Sequence, residues 1–260
     1  MTTPDPAGDG QGARDRRFMA AAIRLSRRNL GLTATNPSVG TLIVADQGEV
    51  PVIVGRGVTA RGGRPHAETE ALAEAGERAR GASAYVTLEP CAHHGRTPPC
   101  ASALIAAGIR RVVGASSDPD PRVSGKGYAM LRAAGVEVVE AVLAERAGEV
   151  MAGYLMRSMK KRPEVILKLA VSSDGMIGRA GQGQVPITGP VARAQVHLMR
   201  AEADAVLIGI GTAIADDPEL TCRLPGLEDR SPVRIVLDSG ARLPVTSKLV
   251  AQAARVPLLV

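Results

Sequence analysis

The chain has 260 residues, with 45% hydrophobic, 22% charged and a formal net charge of +6. That balance excludes wholesale disorder and a lone disulfide or zinc-finger module, and it leaves room for one large domain or two ordinary ones. No apolar run reaches the ~18 residues of a membrane span, and the opening MTTPDPAGDGQGARDRR lacks the apolar segment of a secretory signal, so a cytoplasmic protein free of the membrane is expected.

In chain order, residues 1–15 are rich in Pro, Gly, Asp and Arg and read as a disordered lead. Arg16 to Leu30 reads as an amphipathic helix, with Phe18, Met19, Ala22, Ile23 and Leu25 on one face. Val39 to Ala45 and Val52 to Gly55 read as strands around a polar turn at Asp46-Gln47-Gly48. Pro65 to Arg80 reads as a helix with Pro in its first turn and Gly81 at its end. A strand follows at Ala84–Leu88, a helix at Cys100–Ala107, a strand at Arg111–Ala115, a helix at Gly127–Ala134 and a strand at Val136–Val139. Strands alternating with helices predict an α/β layered domain over 16–158.

After a helix near Val142–Arg157, the basic run Met159-Lys160-Lys161-Arg162-Pro163 ends in a helix-breaking proline and reads as a linker over 159–163. A second α/β unit is expected over 164–260. Its strands are read at Glu164–Leu169, Ala205–Ile208 and Val233–Leu237, with a helix over Pro190–Ala201 and a last strand in the closing VPLLV.

The basic balance suits a nucleic acid, an anionic lipid or a phosphorylated small molecule. The sequence has no Trp, and its only aromatics are Phe18, Tyr85, Tyr128 and Tyr154. Single-stranded nucleic acid is gripped largely by stacking on rings, so a phosphorylated small molecule is favoured and a nucleic-acid partner is not expected.

The chemistry concentrates in Pro65-His66-Ala67-Glu68 and in Glu89-Pro90-Cys91 followed by Cys100. One imidazole and two thiols are a zinc donor set, and three protein ligands leave the fourth position open for water, as catalytic zinc sites do. Glu68 could take a proton from that water and deliver it to a leaving amine; glutamine could not. An H-x-E with paired cysteines is the pattern of zinc nucleobase deaminases, although here the cysteines are spaced C-x8-C. His93 and His94 stand nearby as alternative ligands, and a zinc-stabilised binding module that uses one of them is a rival reading. His66 and Glu68 can converge only through the geometry of the helix start. Cys222 stands apart, as a lone thiol.

The stretch Tyr85 to Cys100, YVTLEPCAHHGRTPPC, together with Asn36-Pro37-Ser38-Val39-Gly40 and Pro65-His66-Ala67-Glu68, closely resembles the deaminase half of the bifunctional riboflavin biosynthesis deaminase/reductases. The resemblance implies a cytidine-deaminase-like three-layer domain. It implies zinc held by His66, Cys91 and Cys100, with Glu68 as proton shuttle. The substrate would be 2,5-diamino-6-(ribosylamino)pyrimidinone 5′-phosphate, contacted by Asn36, with Arg96 on its phosphate. The second half is similar to the family's dihydrofolate-reductase-like reductase through Lys168-Leu169-Ala170, Ser173-Asp174-Gly175, Ile187-Thr188 and Gly209 to Arg223. By that likeness Ala170, Thr212, Asp216 and Ser239 would line an NADPH site. Lys168, Arg200, Leu220 and Arg223 would line the site of the ribosyl phosphate, whose sugar would be reduced to a ribityl chain. Two departures stand out. Gln184-Val185-Pro186 replaces the family's Ser-x-Trp, and the chain stops at Val260, so the reductase domain is expected to be C-terminally incomplete. Three further possibilities follow: a homo-oligomer, a nucleic-acid base deaminase, and a deaminase whose second half only packs.

Overall fold

In a computed structural model of the chain, residues 6–48, 50–95, 98–179 and 181–260 are described. The chain divides into two compact units, Met1–Glu164 and Val165–Val260.

The first unit opens with α1 (Pro6–Ser26), then β1 (Gly40–Gln47), β2 (Val50–Val58), α2 (Ala67–Ala75), β3 (Ser83–Leu88), α3 (Cys100–Ala106), β4 (Arg111–Ser116), α4 (Lys126–Ala133), β5 (Glu137–Val139), α5 (Ala144–Val150) and α6 (Ala152–Lys160). Its five strands run in the order β2-β1-β3-β4-β5. The β2/β1 and β1/β3 pairs are antiparallel, and β3/β4 and β4/β5 are parallel. β3 and β4 are buried along their whole length, as central strands covered on both faces must be, and this explains their unbroken apolar runs.

Small residues set the two helical layers. Gly40 pairs with Val58 and Gly57 with Thr41, so the two glycines present opposite faces of the sheet. A Cβ on Gly40 would stand 2.2 Å from the Ala22 carbonyl of α1, and one on Gly57 would stand 1.9 Å from the Ala67 carbonyl of α2. α1 and α2 therefore cover opposite faces, each at backbone contact. The alanine row Ala67, Ala71 and Ala75 is fully buried against the sheet. On the other face Phe18, Met19, Ala22 and Ile23 fill the core from α1, each worth up to ~1.5–3 kcal/mol of burial for the larger side chains.

The lead expected to be disordered is helical from Pro6 onward. Its anchor is Asp15, which receives both terminal nitrogens of Arg111 on β4 at 2.8 Å and the Tyr85 hydroxyl of β3 at 3.0 Å. Local composition carries no trace of a partner 96 residues away. The helix expected over Pro65–Arg80 is shorter: α2 spans Ala67–Ala75 and gives way to a 3-10 turn over Gly76–Ala79.

The second unit holds α7 (Pro190–Glu202), β6 (Ala205–Gly209), α8 (Ile210–Asp216), β7 (Val233–Leu237), α9 (Lys248–Ala251) and β8 (Leu258–Leu259). Its strands form a parallel sheet, β6-β7-β8. The strand expected at Glu164–Leu169 does not form. Val165, Ile166, Leu167 and Leu169 are 83%, 68%, 81% and 60% exposed, and no described strand pairs with them. An apolar, β-branched segment becomes a strand only where a neighbour offers its ladder. No helix among the described residues is long and apolar enough to cross a membrane.

Candidate active site

The carboxyl ends of β3 and β4 open into a cleft of about 930 Å³, the place where open α/β sheets commonly bind ligands. His66, Glu68 and Cys91 line it, and the sulfur of Cys100 lies 3.4 Å from His66 Nδ1. His66 is the N-cap of α2 with extended backbone (φ −73°, ψ 157°), and Glu68 lies in the first turn of the same helix. On a regular helix two residues this close diverge. The extended cap turns His66 back, so both line the cleft. Cys91 follows β3 by three residues, and Cys100 opens α3.

The Nδ1 of His66 lies 3.7 Å from the sulfur of Cys91 and 3.4 Å from that of Cys100. A tetrahedral zinc with ordinary Zn–S and Zn–N bonds separates its nitrogen and sulfur ligands by ~3.6 Å, so these donors stand at the edges of such a tetrahedron. Among the described residues, His66, Cys91 and Cys100 are the group whose donor atoms all come within 4.8 Å of one another. His93 and His94 line the cleft but stand outside that group.

The electrostatics describe a competition that a divalent cation would end. Cys91 is held down to about 4 by its hydrogen bond with Cys100, by His66 and by the Cys100 backbone N–H, against its burial. Cys100 is pushed up by the neighbouring Cys91 thiolate, by burial and by Glu68. His66 is raised above its ordinary value by its hydrogen bond to Cys91, against burial. Glu68, only 4% exposed, is pushed up to about 7 by burial and by the Cys91 charge. Two crowded thiols, an imidazole and a carboxyl near neutrality fit a zinc ion with a proton carrier beside it.

Asn36, from the loop after α1, also lines the cleft. Its backbone N–H donates to the Thr33 carbonyl at 3.1 Å, and its carbonyl accepts the Thr33 hydroxyl at 2.7 Å. Its amide packs on Gly63 (φ +88°), where a Cβ would stand 2.1 Å from Asn36 Nδ2. Arg96 lies outside the described residues. Sequence reasoning missed much of the wall. Asp118 follows β4 and accepts the Tyr154 hydroxyl of α6 at 2.8 Å. Arg157 donates to the Thr35 carbonyl at 2.7 Å, and Arg157, Lys161 and Arg64 bring positive charge to the cleft. A residue just past a central parallel strand, as Asp118 is, could have been found from strand position alone.

The comparisons with known proteins agree with this geometry. Residues 13–116 match the family model for the cytidine and deoxycytidylate deaminase zinc-binding region, and residues 163–260 match the RibD C-terminal domain. The chain is 45% identical over 249 residues to the riboflavin biosynthesis protein RibD of Escherichia coli K12, covering 92% of this chain and 67% of that one. The chain belongs to the RibD family. The RibD of Aquifex aeolicus is 44% identical over 235 residues, covering 90% of this chain and 65% of that protein. Among solved structures, a diaminohydroxyphosphoribosylaminopyrimidine deaminase/5-amino-6-(5-phosphoribosylamino)uracil reductase of Thermotoga maritima aligns with a TM-score of 0.86 at 38% identity, covering 96% of this chain and 70% of that one. Acinetobacter baumannii RibD aligns with a TM-score of 0.84 at 42% identity, covering 95% and 69%. This RibD-family chain thus spans about two thirds of the length of the relatives it matches.

In its RibD C-terminal unit the remaining expected residues are only partly gathered. Gly209 and Leu237 are in register, so α8 with Thr212 and Asp216 and the segment with Ser239 both follow the carboxyl ends of paired strands. Arg200 of α7 donates to the Thr221 carbonyl at 3.2 Å, and Arg223 meets Glu219 at 2.9 Å. Burial and the charge of Arg223 both lower the Arg200 guanidinium from its usual value, as expected where two cations are held close. The side chain of Leu220 (φ 56°) is 7% exposed and clusters with Ile210, Ala213, Val236 and Leu249. Lys168 is exposed on the unpaired stretch, with Ala170 partly buried two residues on. Arg234, also missed from sequence, is fully buried and donates to the carbonyls of Glu219 and Val256 at 3.3 and 2.5 Å, which pins the turn that carries Leu220 to Arg223.

Proposed function

We propose that the first unit is a zinc-dependent hydrolytic deaminase acting on 2,5-diamino-6-(ribosylamino)pyrimidinone 5′-phosphate. The observation that carries this reading is the meeting of His66 Nδ1 with the sulfurs of Cys91 and Cys100 at 3.4–3.7 Å, with the buried carboxyl of Glu68 in the same cleft. His66, Cys91 and Cys100 would hold the ion. Zinc bound there would supply a Lewis acid that makes water acidic enough to attack near neutral pH. Glu68 takes the proton of the attacking water and returns it to the departing amine, so that the ring carbon exchanges its amino group for oxygen and ammonia leaves. Burial raises its carboxyl above the usual range, which favours a group that must both take and give a proton. Asn36 offers an amide donor and acceptor to the pyrimidine edge. Arg64, Arg157 and Lys161 supply the positive rim that a phosphate favours.

The second unit is read as part of an NADPH-dependent reductase that opens the ribosyl group to a ribityl chain. Arg200 and Arg223 would take the phosphate, and Thr212, Asp216 and Ser239 would take the cofactor. The Thermotoga maritima relative is named for both activities, which supports this assignment.

Metal analysis and an ammonia-release assay on the purified chain test the first reading. About one zinc per chain is expected, with His66→Ala losing both the zinc and the deamination. An active, metal-free protein would overturn it.

A further inference from the structure

Glu89 stands two residues before Cys91 and is 3% exposed. It lines the same cleft as Glu68, yet the mechanism above leaves it without a role. Each of its carboxylate oxygens accepts a backbone donor: Oε1 the Gly127 N–H and Oε2 the Gly125 N–H, each at 3.0 Å. Its own N–H donates to the Ser116 carbonyl at 2.9 Å. One residue therefore ties the end of β3 to the end of β4 and to the start of α4. The approach is close enough that a Cβ on Gly127 would lie 2.0 Å from the Pro90 carbonyl oxygen. From the other side α3 holds Cys91, through the Cys100 N–H on its sulfur at 3.3 Å and the Ala101 N–H on its carbonyl at 3.2 Å.

We infer that Glu89 is a positioning residue that sets the Pro90-Cys91 backbone, and with it the Cys91 sulfur, before a metal arrives. The inference rests on the reading that His66, Cys91 and Cys100 hold zinc. Two backbone donors need two acceptors. Glutamine has the same shape but only one acceptor, and its NH2 would face a glycine N–H. Aspartate is one methylene too short to reach both. Residues that orient a metal ligand without touching the ion typically cost ~10–100-fold in metal affinity when replaced.

The test uses the full chain and the variants Glu89→Gln, Gly125→Ala and Cys91→Ser. Zinc affinity is read by competition with a chromophoric chelator, and site geometry by the visible spectrum of the cobalt(II)-substituted protein. Glu89→Gln is expected to bind zinc ~10–100-fold more weakly and to show an altered cobalt spectrum. Gly125 has φ +76° with nothing within 4 Å of an added Cβ, so Gly125→Ala should fold, strain the donor to Oε2 and weaken zinc several-fold. It decides the matter by the same readouts should Glu89→Gln not fold. If the wild type fails to bind zinc, or Cys91→Ser binds like the wild type, the site reading falls and this inference falls with it. If Cys91→Ser loses zinc while Glu89→Gln and Gly125→Ala keep wild-type affinity and spectrum, this inference alone is overturned.

Discussion

Replacing Asp15 by Asn probes the buried contact that turns the N-terminal lead into part of the fold. The Asp15 and Arg111 side chains are 6% and 8% exposed and share two hydrogen bonds of 2.8 Å, with Tyr85 at 3.0 Å and Gln11 at 3.1 Å on the same carboxylate. Breaking a buried pair while leaving its partner charged costs ~3–5 kcal/mol. Arg111 keeps Glu137 at 2.7 Å, and Glu137 is 61% exposed, which points to the low end, ~3 kcal/mol. For a unit of this size that corresponds to a fall of ~6–12 °C in the melting temperature. Calorimetry of the full chain at fixed zinc measures it, in the transition that shifts with added zinc. The pH dependence supplies a second check. Burial pushes the Asp15 carboxyl up, but the Arg111 hydrogen bonds and charge, with the Tyr85 and Gln11 donors, outweigh it and hold the group below the usual carboxylate range. A depressed carboxylate stabilises the fold above its unfolded value of ~3.9, and that contribution is lost as the pH falls through the lower folded value. The gap between wild type and Asp15→Asn should therefore be full at neutral pH and close in acid. A shift under ~2 °C, or a gap that widens on acidification, would refute the reasoning.

Other perturbations test the site and the second unit. Glu68→Gln should keep zinc and lower the deamination rate by ~10²–10⁴-fold, because glutamine fills the space but carries no proton; retained turnover would remove Glu68 from the proton path. Gly57→Ala places a Cβ 1.9 Å from the Ala67 carbonyl, next to His66. It should cost ~1–3 kcal/mol in urea unfolding and weaken zinc binding, since α2 must move away from the sheet. An NADPH titration of this chain followed by fluorescence, with ribose 5-phosphate as second ligand, tests the reductase reading. Binding of both is expected, with Arg223→Gln weakening the sugar phosphate and sparing NADPH, whereas no binding of either would remove the second site.

The first unit's alternation of strands and helices was legible because each element writes its own period. Val112 and Val113 in a short apolar run between turns could hardly be anything but a buried strand. The His66, Cys91 and Cys100 cluster was legible for a different reason: the chain has only four His and three Cys, so a grouping of them stands out. What stayed hidden depends on partners distant in sequence. Asp15 finds Arg111 and Tyr85 only once the sheet exists, so a Gly- and Asp-rich lead gave no sign of a helix. Val165 to Leu169 has strand composition, but composition supplies no neighbour to pair with. His66 and Glu68 could not be placed on one side until the extended cap before α2 was seen. Tyr154 and Arg157 of α6 reach the cleft through bonds to Asp118 and Thr35, which local pattern does not encode. Leu220, matched to a substrate contact, has its side chain in the core, a placement local pattern does not give.

X-ray absorption at the zinc edge, on the purified full chain, tests the metal assignment most directly. The expected shell is one imidazole nitrogen, two sulfurs at ~2.3 Å and one light oxygen donor from solvent, with a sulfur lost in Cys100→Ser. A shell of four protein donors, or one unchanged by that substitution, would contradict it.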